Sequence, residues 1–202
     1  MPVVFGIDPG ITNLGVALIA LDGAVRVRKL RVTCEDDDGS VVSDFLRCRA
    51  MELALYTWLS ENLPRVRRVV CAGRAVNDPV VCVEGPSFGR HPKGSIQAGM
   101  LHAAVHGALL RCRHAVVIVV PPTVLKKYVT GKGNASKEAM LEGILLRWFR
   151  QGAAPGFGSQ DLYEAYALAR LGQDAVTGTK EWLQKAIYVY QVSEDTFERI
   201  YG

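Results

Sequence analysis

The sequence predicts an α/β fold with a mixed five-stranded sheet and helices on both of its faces. The first 33 residues supply three strands. Residues 3–7 and 14–21 are apolar and rich in β-branched side chains, and residues 24–33 alternate apolar with basic side chains. Turn residues at 9–10 and 22–23 make these three strands antiparallel neighbours.

Two further strands are predicted at residues 79–83 and 115–120, which are short, β-branched and followed by turn residues. Strands that alternate with helices are typical of parallel additions to a sheet. Helices are predicted between a cap at Ser40 or Ser43 and Pro64, at 95–113, 123–129, 136–150 and 160–171, and in the tail at 180–186 and 194–201. The apolar positions of the first helix are Phe45, Met51, Leu55, Trp58 and Leu59, and Ser159 is the predicted cap of the helix at 160–171.

The composition is that of a soluble globular protein. The chain has 202 residues, of which 49% are hydrophobic and 22% are charged. Its formal net charge of +4 is modest, but residues 85–137 contain eight Lys or Arg and no Asp or Glu. This basic stretch favours a polyanionic partner such as a nucleic acid, although a solvated basic surface would have the same composition.

The cysteines indicate a reducing compartment, because they are odd in number and have no zinc-ligand spacing. They are Cys34, Cys48, Cys71, Cys82 and Cys112. The chain begins without the basic segment of a signal peptide, and polar residues interrupt the apolar stretch 3–21. We therefore expect a cytoplasmic protein with no membrane partner.

Two acids stand at the ends of buried strands. Asp8 follows the first strand and is flanked by Gly6 and Gly10, which leave room for a ligand. Glu84 ends the strand at 79–83 in the same way. An Asp-Pro-Gly turn is also explained by an aspartate that bonds its own backbone, so Asp8 alone leaves both interpretations open.

Two more acids share one side of a predicted helix. Asp161 and Glu164 are three residues apart in its first turn, so both carboxylates face the same way. Alone, they are also explained as acids that stabilise a helix N-terminus. With Asp8 and Glu84 they form the oxygen ligand set for two divalent ions, and such ions about 4 Å apart can hydrolyse a phosphodiester. Their mutual repulsion argues against a purely structural role.

Four motifs in this order resemble the RuvC family of Holliday junction resolvases, and more closely its bacteriophage members. The motifs are GIDPGITNLGVALI, VEGPSF, LKKYVTGKGNASKEAM and DLYEAYALA. Each is a weak signal, but their order makes the resemblance specific over residues 3–171. It implies an RNase H-like fold and a homodimeric, magnesium-dependent endonuclease of a bacterial cell or a phage-infected host. Two Mg²⁺ ions per active site are expected, with Mn²⁺ as a substitute and no small-molecule cofactor.

The resemblance also implies that the catalytic, metal-binding residues are Asp8, Glu84, Asp161 and Glu164. The family commonly has Asp at the last of these positions, so Glu164 is a longer substitute. Residues 1–202 would form a single nuclease domain, with 172–202 as a C-terminal extension.

The resemblance further implies a set of DNA-binding residues. Lys126 and Lys137 correspond to family lysines that approach DNA phosphates, and Phe88 lies near the position of an aromatic residue that stacks at the junction. A buried loop aromatic would explain Phe88 equally well. The full predicted set is Phe88, Arg90, Lys93, Lys126, Lys127, Lys132 and Lys137. His102 and His106 lack the acid of a zinc-protease motif, and we expect them to pack inside the protein or at a dimer interface.

The predicted activity is hydrolysis of DNA at a four-way junction, with paired nicks from two subunits. Asp8 and an acid of the last helix would hold the ion that activates water. Asp8 and Glu84 would hold the second ion, which stabilises the leaving 3′ oxygen. Two alternatives stay open. One is an RNase H-like nuclease for other branched DNA or RNA. The other is an ATP-binding protein of the actin and sugar-kinase class, which needs two such lobes where 202 residues supply one.

Overall fold

The computed structural model describes residues 3–33, 38–63, 70–71, 74–75, 78–87, 92–112, 115–149, 157–177 and 184–193. Its strands are β1 (Val4–Pro9), β2 (Asn13–Ile19), β3 (Val25–Arg31), β4 (Val70–Cys71), β5 (Arg74–Ala75), β6 (Val80–Glu84), β7 (Ala115–Val120) and β8 (Tyr188–Val192). Its helices are α1 (Val41–Asn62), α2 (Pro92–Leu110), α3 (Pro122–Thr130), α4 (Lys137–Trp148) and α5 (Gln160–Thr177).

Within these residues the main sheet has six strands in the order β3-β2-β1-β6-β7-β8, and β4 and β5 form a separate ladder. β1, β2 and β3 pair antiparallel, whereas β6 joins β1, and β7 joins β6, in parallel. The predicted mixed sheet is therefore confirmed. It has one strand more than the five predicted, because β8 pairs antiparallel with β7 and extends the sheet from the tail.

Side chains alternate between the two faces of the sheet, and helices cover both faces as predicted. On one face, Phe5 and Ile7 of β1 belong to the core that includes α1 and α2. On the other face, Val4 of β1 and Cys82 of β6 belong to the core that includes α3, α4 and α5. The even-numbered side chains of β1 and β6 therefore point toward α5.

Helix α1 begins at a predicted cap. Ser40 is the N-cap, and its side chain accepts a hydrogen bond from the amide of Ser43. The prediction that Phe45 packs in the core is wrong, because 53% of it is exposed. The buried stripe instead passes through Asp44 and Arg47, which form an ion pair with 3.1 Å between Oδ1 and Nη1.

The later helices are present with shifted ends. α5 starts at the predicted residue but runs to Thr177, beyond the predicted end at 171. The hydroxyl of Ser159 makes no hydrogen bond to any described residue, so its predicted side-chain cap is not formed. The predicted tail helices at 180–186 and 194–201 lie mostly or wholly outside the described residues.

None of the described helices is long and apolar enough to cross a membrane.

The described cysteine side chains are free thiols within the core. Cys48, Cys82 and Cys112 are buried and form no disulfide. Burial raises the pKa of the Cys112 thiol to about 11, so this group stays protonated. The side chains of Cys34 and Cys71 lie outside the described residues.

Helix α5 lies close to the sheet because two glycines face it. A Cβ added to Gly6 would be 1.9 Å from the carbonyl oxygen of Ala165, and one added to Gly15 would be 2.4 Å from the carbonyl oxygen of Asp161. Atoms cannot approach so closely without a shift of the backbone, so this packing requires glycine at both positions. The first two turns of α5 are thereby held directly over β1 and β2.

Gly6→Ala is expected to destabilise the fold, because the new methyl group would collide with the backbone of α5 at Ala165 and Ala169. Overpacking of this kind costs about 1 to 3 kcal/mol, and more where the backbone must move. Gly94→Ala is the matched control, since no atom lies within 4 Å of its added Cβ. Urea unfolding followed by circular dichroism measures both variants. A Gly6→Ala protein as stable as the wild type would show that α5 does not need this contact.

Candidate active site

Asp8 and Glu84 lie side by side at the carboxyl ends of two parallel strands. β1 and β6 are neighbours, with Ile7 paired to Val83. The next residue on each strand is one of the acids, and both belong to the even-numbered set that faces α5. The structure therefore brings these two predicted acids together.

The first turns of α5 carry the other two predicted acids to the same place. The backbone of Asp161 lies over Gly15, and Gly15 is paired with Asp8 in the ladder of β1 and β2. Glu164 follows three residues later, and the negative charges of both α5 acids raise the pKa of Asp8. All four predicted acids therefore converge on one region.

Asp8 is the buried centre of this cluster. Only 9% of the residue is exposed, and burial is the main reason that the pKa of its carboxyl lies well above the usual value of 3.8. The charges of Glu84 and Glu164 raise the pKa further, and a hydrogen bond with Glu84 favours the protonated form of Asp8. A cation bound at Asp8 would therefore have to displace a proton.

Glu84 titrates near neutrality for related reasons. Burial, followed by the charge of Glu164, raises the pKa of Glu84 from 4.5 to about 7. The hydrogen bond with Asp8 and the positive charges of Lys126 and Lys137 act in the opposite direction. One lysine of α3 and one of α4 therefore lie close enough to the cluster to act on it electrostatically.

The two acids of α5 already have polar partners that the sequence did not reveal. Nζ of Lys29 lies 2.7 Å from Oδ2 of Asp161. Nε2 of Gln160 donates a hydrogen bond to Oε1 of Glu164 over 2.8 Å. Lys29 belongs to the alternating basic strand, a pattern that does not distinguish one lysine from its neighbours, and Gln160 belongs to no charged motif.

The carboxylates fit a divalent cation by their chemistry. Hard cations prefer carboxylate oxygens, and a bound cation would relieve the repulsion that raises the pKa values of Asp8 and Glu84. As the side chains stand, no three Asp, Glu, His or Cys residues in the described part of the chain are arranged to hold a metal ion. Metal binding by these acids would therefore require some of their side chains to change position.

Three of the predicted DNA-binding residues follow β6 in the chain, and Lys93 lies on α2 rather than in the predicted loop. Phe88 and Arg90 lie outside the described residues. Lys93, in the first turn of α2, donates a hydrogen bond to the carbonyl oxygen of Gly39 over 2.9 Å. This contact ties the start of α2 to the segment before α1.

The other four predicted DNA-binding residues surround the loop between α3 and α4. Gly131 ends α3 with a φ of 80°, a left-handed backbone that glycine adopts readily. Lys126 is half-buried, whereas Lys127, Lys132 and Lys137 are exposed. Of these four, Lys126 and Lys137 act on Glu84, and basic side chains near an acid cluster are suited to contact a phosphate backbone.

His102 and His106 lie one turn apart on α2, and His106 packs against the tail strand β8. Nδ1 of His106 lies 2.5 Å from the hydroxyl of Tyr190 on β8. Burial, followed by the charge of His106, lowers the pKa of His102 to about 4. The partial burial of both histidines agrees with their expected packing role.

Relatives of this chain share most of its length. No family sequence model matches it. A crossover junction endodeoxyribonuclease RuvC from Neorickettsia sennetsu is 30% identical over 175 residues, which cover 83% of this chain and 90% of the relative. The chain belongs to the RuvC family of crossover junction endodeoxyribonucleases. A RuvC from Salinibacter ruber is 28% identical over 150 residues, which cover 71% of this chain and 72% of that protein. Membership of a nuclease family contradicts the alternative ATP-binding class.

Solved RuvC structures share the fold. T. thermophilus RuvC in complex with Holliday junction substrate aligns with a TM-score of 0.59 and 21% identity, over 92% of this chain and 98% of that chain. A second Thermus thermophilus RuvC structure aligns with a TM-score of 0.51 and 22% identity, over 91% and 98% of the two chains. The predicted RNase H-like fold is therefore confirmed. The expected closeness to bacteriophage members of the RuvC family stays a prediction.

Glu84→Gln is expected to stabilise the metal-free protein at alkaline pH. The pKa of Glu84 is higher in the folded protein than its usual value of 4.5, so its ionisation favours unfolding as the pH rises from 4.5 to about 7. The wild type should lose up to about 3 kcal/mol relative to the variant over this interval, since one pKa unit corresponds to about 1.4 kcal/mol.

Urea unfolding in EDTA at about pH 5 and about pH 8 measures this difference. Glu142→Gln removes an exposed acid of α4 and serves as the control. A Glu84→Gln advantage that does not grow with pH would contradict the unfavourable ionisation of Glu84.

Proposed function

We propose that this chain cleaves four-way DNA junctions by metal-dependent hydrolysis of phosphodiester bonds. The proposal is supported by membership of the RuvC family and by the burial of Asp8 among three other acids. Buried carboxylates that repel one another are unfavourable unless a cation binds, and such clusters are typical of functional sites. The substrate class is suggested by T. thermophilus RuvC, whose structure is in complex with Holliday junction substrate.

We assign metal binding and catalysis to Asp8, Glu84, Asp161 and Glu164. Two Mg²⁺ ions, or Mn²⁺ in their place, would supply an activated water and stabilise the leaving oxygen. Asp8 and Glu84 offer fixed oxygens, because paired strands hold their backbones. Asp161 and Glu164 offer adjustable oxygens, because their side chains lie at the partly exposed start of α5. The extra methylene group of Glu164 lengthens its reach toward Asp8.

The basic residues would hold the DNA backbone. Lys126 and Lys137 both act on Glu84, so a phosphate near Glu84 would also lie near two ammonium groups. Gly131 lets the intervening loop turn sharply between them. The proposed DNA-contacting set also includes Phe88, Arg90, Lys93, Lys127 and Lys132.

Paired nicks require two active sites, so we propose a homodimer. Ala98, Gly99 and Ala103 of α2 are small and at least partly exposed, which suits a close contact with a second copy. Residues 1–202 would form one nuclease domain in each subunit, with 172–202 as an extension that contributes β8 to the sheet.

Asp8→Asn is expected to abolish Mg²⁺-dependent cleavage of a synthetic four-way junction and to leave junction binding largely intact. The amide keeps the size of the carboxyl group but removes the charge at the centre of the cluster. A gel assay of end-labelled junction with Mg²⁺ measures cleavage, and a mobility-shift assay in EDTA measures binding. Asp22→Asn is the matched control, since Asp22 lies in the exposed turn between β2 and β3. Retained cleavage by Asp8→Asn would refute the assignment.

The substrate class is tested by parallel digestion of a junction, a fork, a flap, a linear duplex and an RNA–DNA hybrid. We expect the junction to be cleaved fastest, with paired nicks. Faster cleavage of the fork, flap or hybrid would favour the alternative of an RNase H-like nuclease for other substrates.

A further inference from the structure

Lys29 is a basic residue of the acid cluster that lies outside the predicted DNA-binding set. It belongs to β3, the edge strand of the sheet, whereas Lys126 and Lys137 come from α3 and α4. Its Nζ lies 2.7 Å from Oδ2 of Asp161, and its side chain is only 21% exposed. The side chain of Asp161 is 36% exposed, so the contact is a partly buried ion pair.

The register of the sheet places Lys29 at the acids. Lys29 is paired with Gly15 of β2, and Gly15 is paired with Asp8 of β1. Residues paired across a sheet point to the same face, so Lys29 and Asp8 face α5 from the two ends of one row. Because Gly15 has no side chain, nothing in the middle of this row separates Lys29 from Asp161, which lies above it.

We propose that Lys29 is a positioning residue. Its ammonium group occupies a cation-binding position at the Asp161 carboxylate until a divalent ion displaces it. This inference rests on the proposed metal-dependent function. The ammonium group of Lys29 offsets the negative charge of Asp161, which lies in a cluster of acids that repel one another. The same ammonium opposes any divalent ion that needs the same carboxylate, so Lys29 lowers the metal affinity of the Asp161 side of the site.

A purely structural ion pair has the opposite consequence for metal binding. If Lys29 only fixed the start of α5, its loss would loosen Asp161 and leave metal affinity unchanged or weaker. If Lys29 competes with the metal, its loss must tighten metal binding. The sign of the change therefore separates the two roles.

The test is titration of the full-length, DNA-free protein with Mn²⁺ by isothermal calorimetry. Lys29→Met removes the charge and keeps an unbranched chain, and we expect it to bind Mn²⁺ on the order of tenfold more tightly, an effect limited by solvent screening. Lys29→Gln is a second neutral variant in case the first does not fold. Lys29→Arg keeps the charge and should bind Mn²⁺ like the wild type. Arg28→Met is the matched control, because it removes a charge from the next residue of β3, whose side chain points to the opposite face of the sheet.

Unchanged or weaker Mn²⁺ binding in the neutral Lys29 variants overturns the inference, as does equal tightening in Arg28→Met. Tighter binding in the neutral variants without cleavage of any branched DNA supports the role of Lys29 and overturns the proposed function. Absence of Mn²⁺ binding in the wild type and all variants overturns both.

Discussion

The close approach of α5 to β1 and β2 is the constraint on which the acid cluster depends. Gly6 and Gly15 leave the space into which the backbone of α5 fits. A larger residue at either position would move the start of α5 away from the sheet and take Asp161 and Glu164 away from Asp8. Two residues without side chains therefore determine where the acids of a distant helix lie.

The four acids lie close together although their negative charges repel one another. Burial and neighbouring charges raise the pKa values of Asp8 and Glu84, so their ionisation opposes folding. Apolar packing beneath them supplies the opposing free energy, since Phe5 and Ile7 are fully buried on one face and Val4 on the other. A protein selected for stability alone would have no reason to keep buried like charges, which is why their presence argues for binding of a cation.

The strand-end acids could be predicted because short apolar strands have ends that are visible in a sequence, and parallel strands bring those ends to one edge. Lys29 could not be predicted in this way. Alternation shows which face a side chain takes, but only the pairing shows that Lys29 lies opposite Gly15. Strand β8 was not among the predicted strands, although its residues are mostly β-branched or aromatic, because so short a run does not show that it pairs with β7.

The lysines near the acid cluster affect how a negatively charged nucleic acid could approach the four acids. In the described part of the chain, lysines approach the cluster from three elements: Lys29 from β3 meets Asp161, and Lys126 and Lys137 act on Glu84. Carboxylates without such partners would repel a DNA phosphate, whereas nearby ammonium groups offset much of their field. Lys29 approaches from the β3 side of Asp8, and Lys126 and Lys137 act on Glu84 on its β6 side, so positive charges offset the acids on both sides of Asp8.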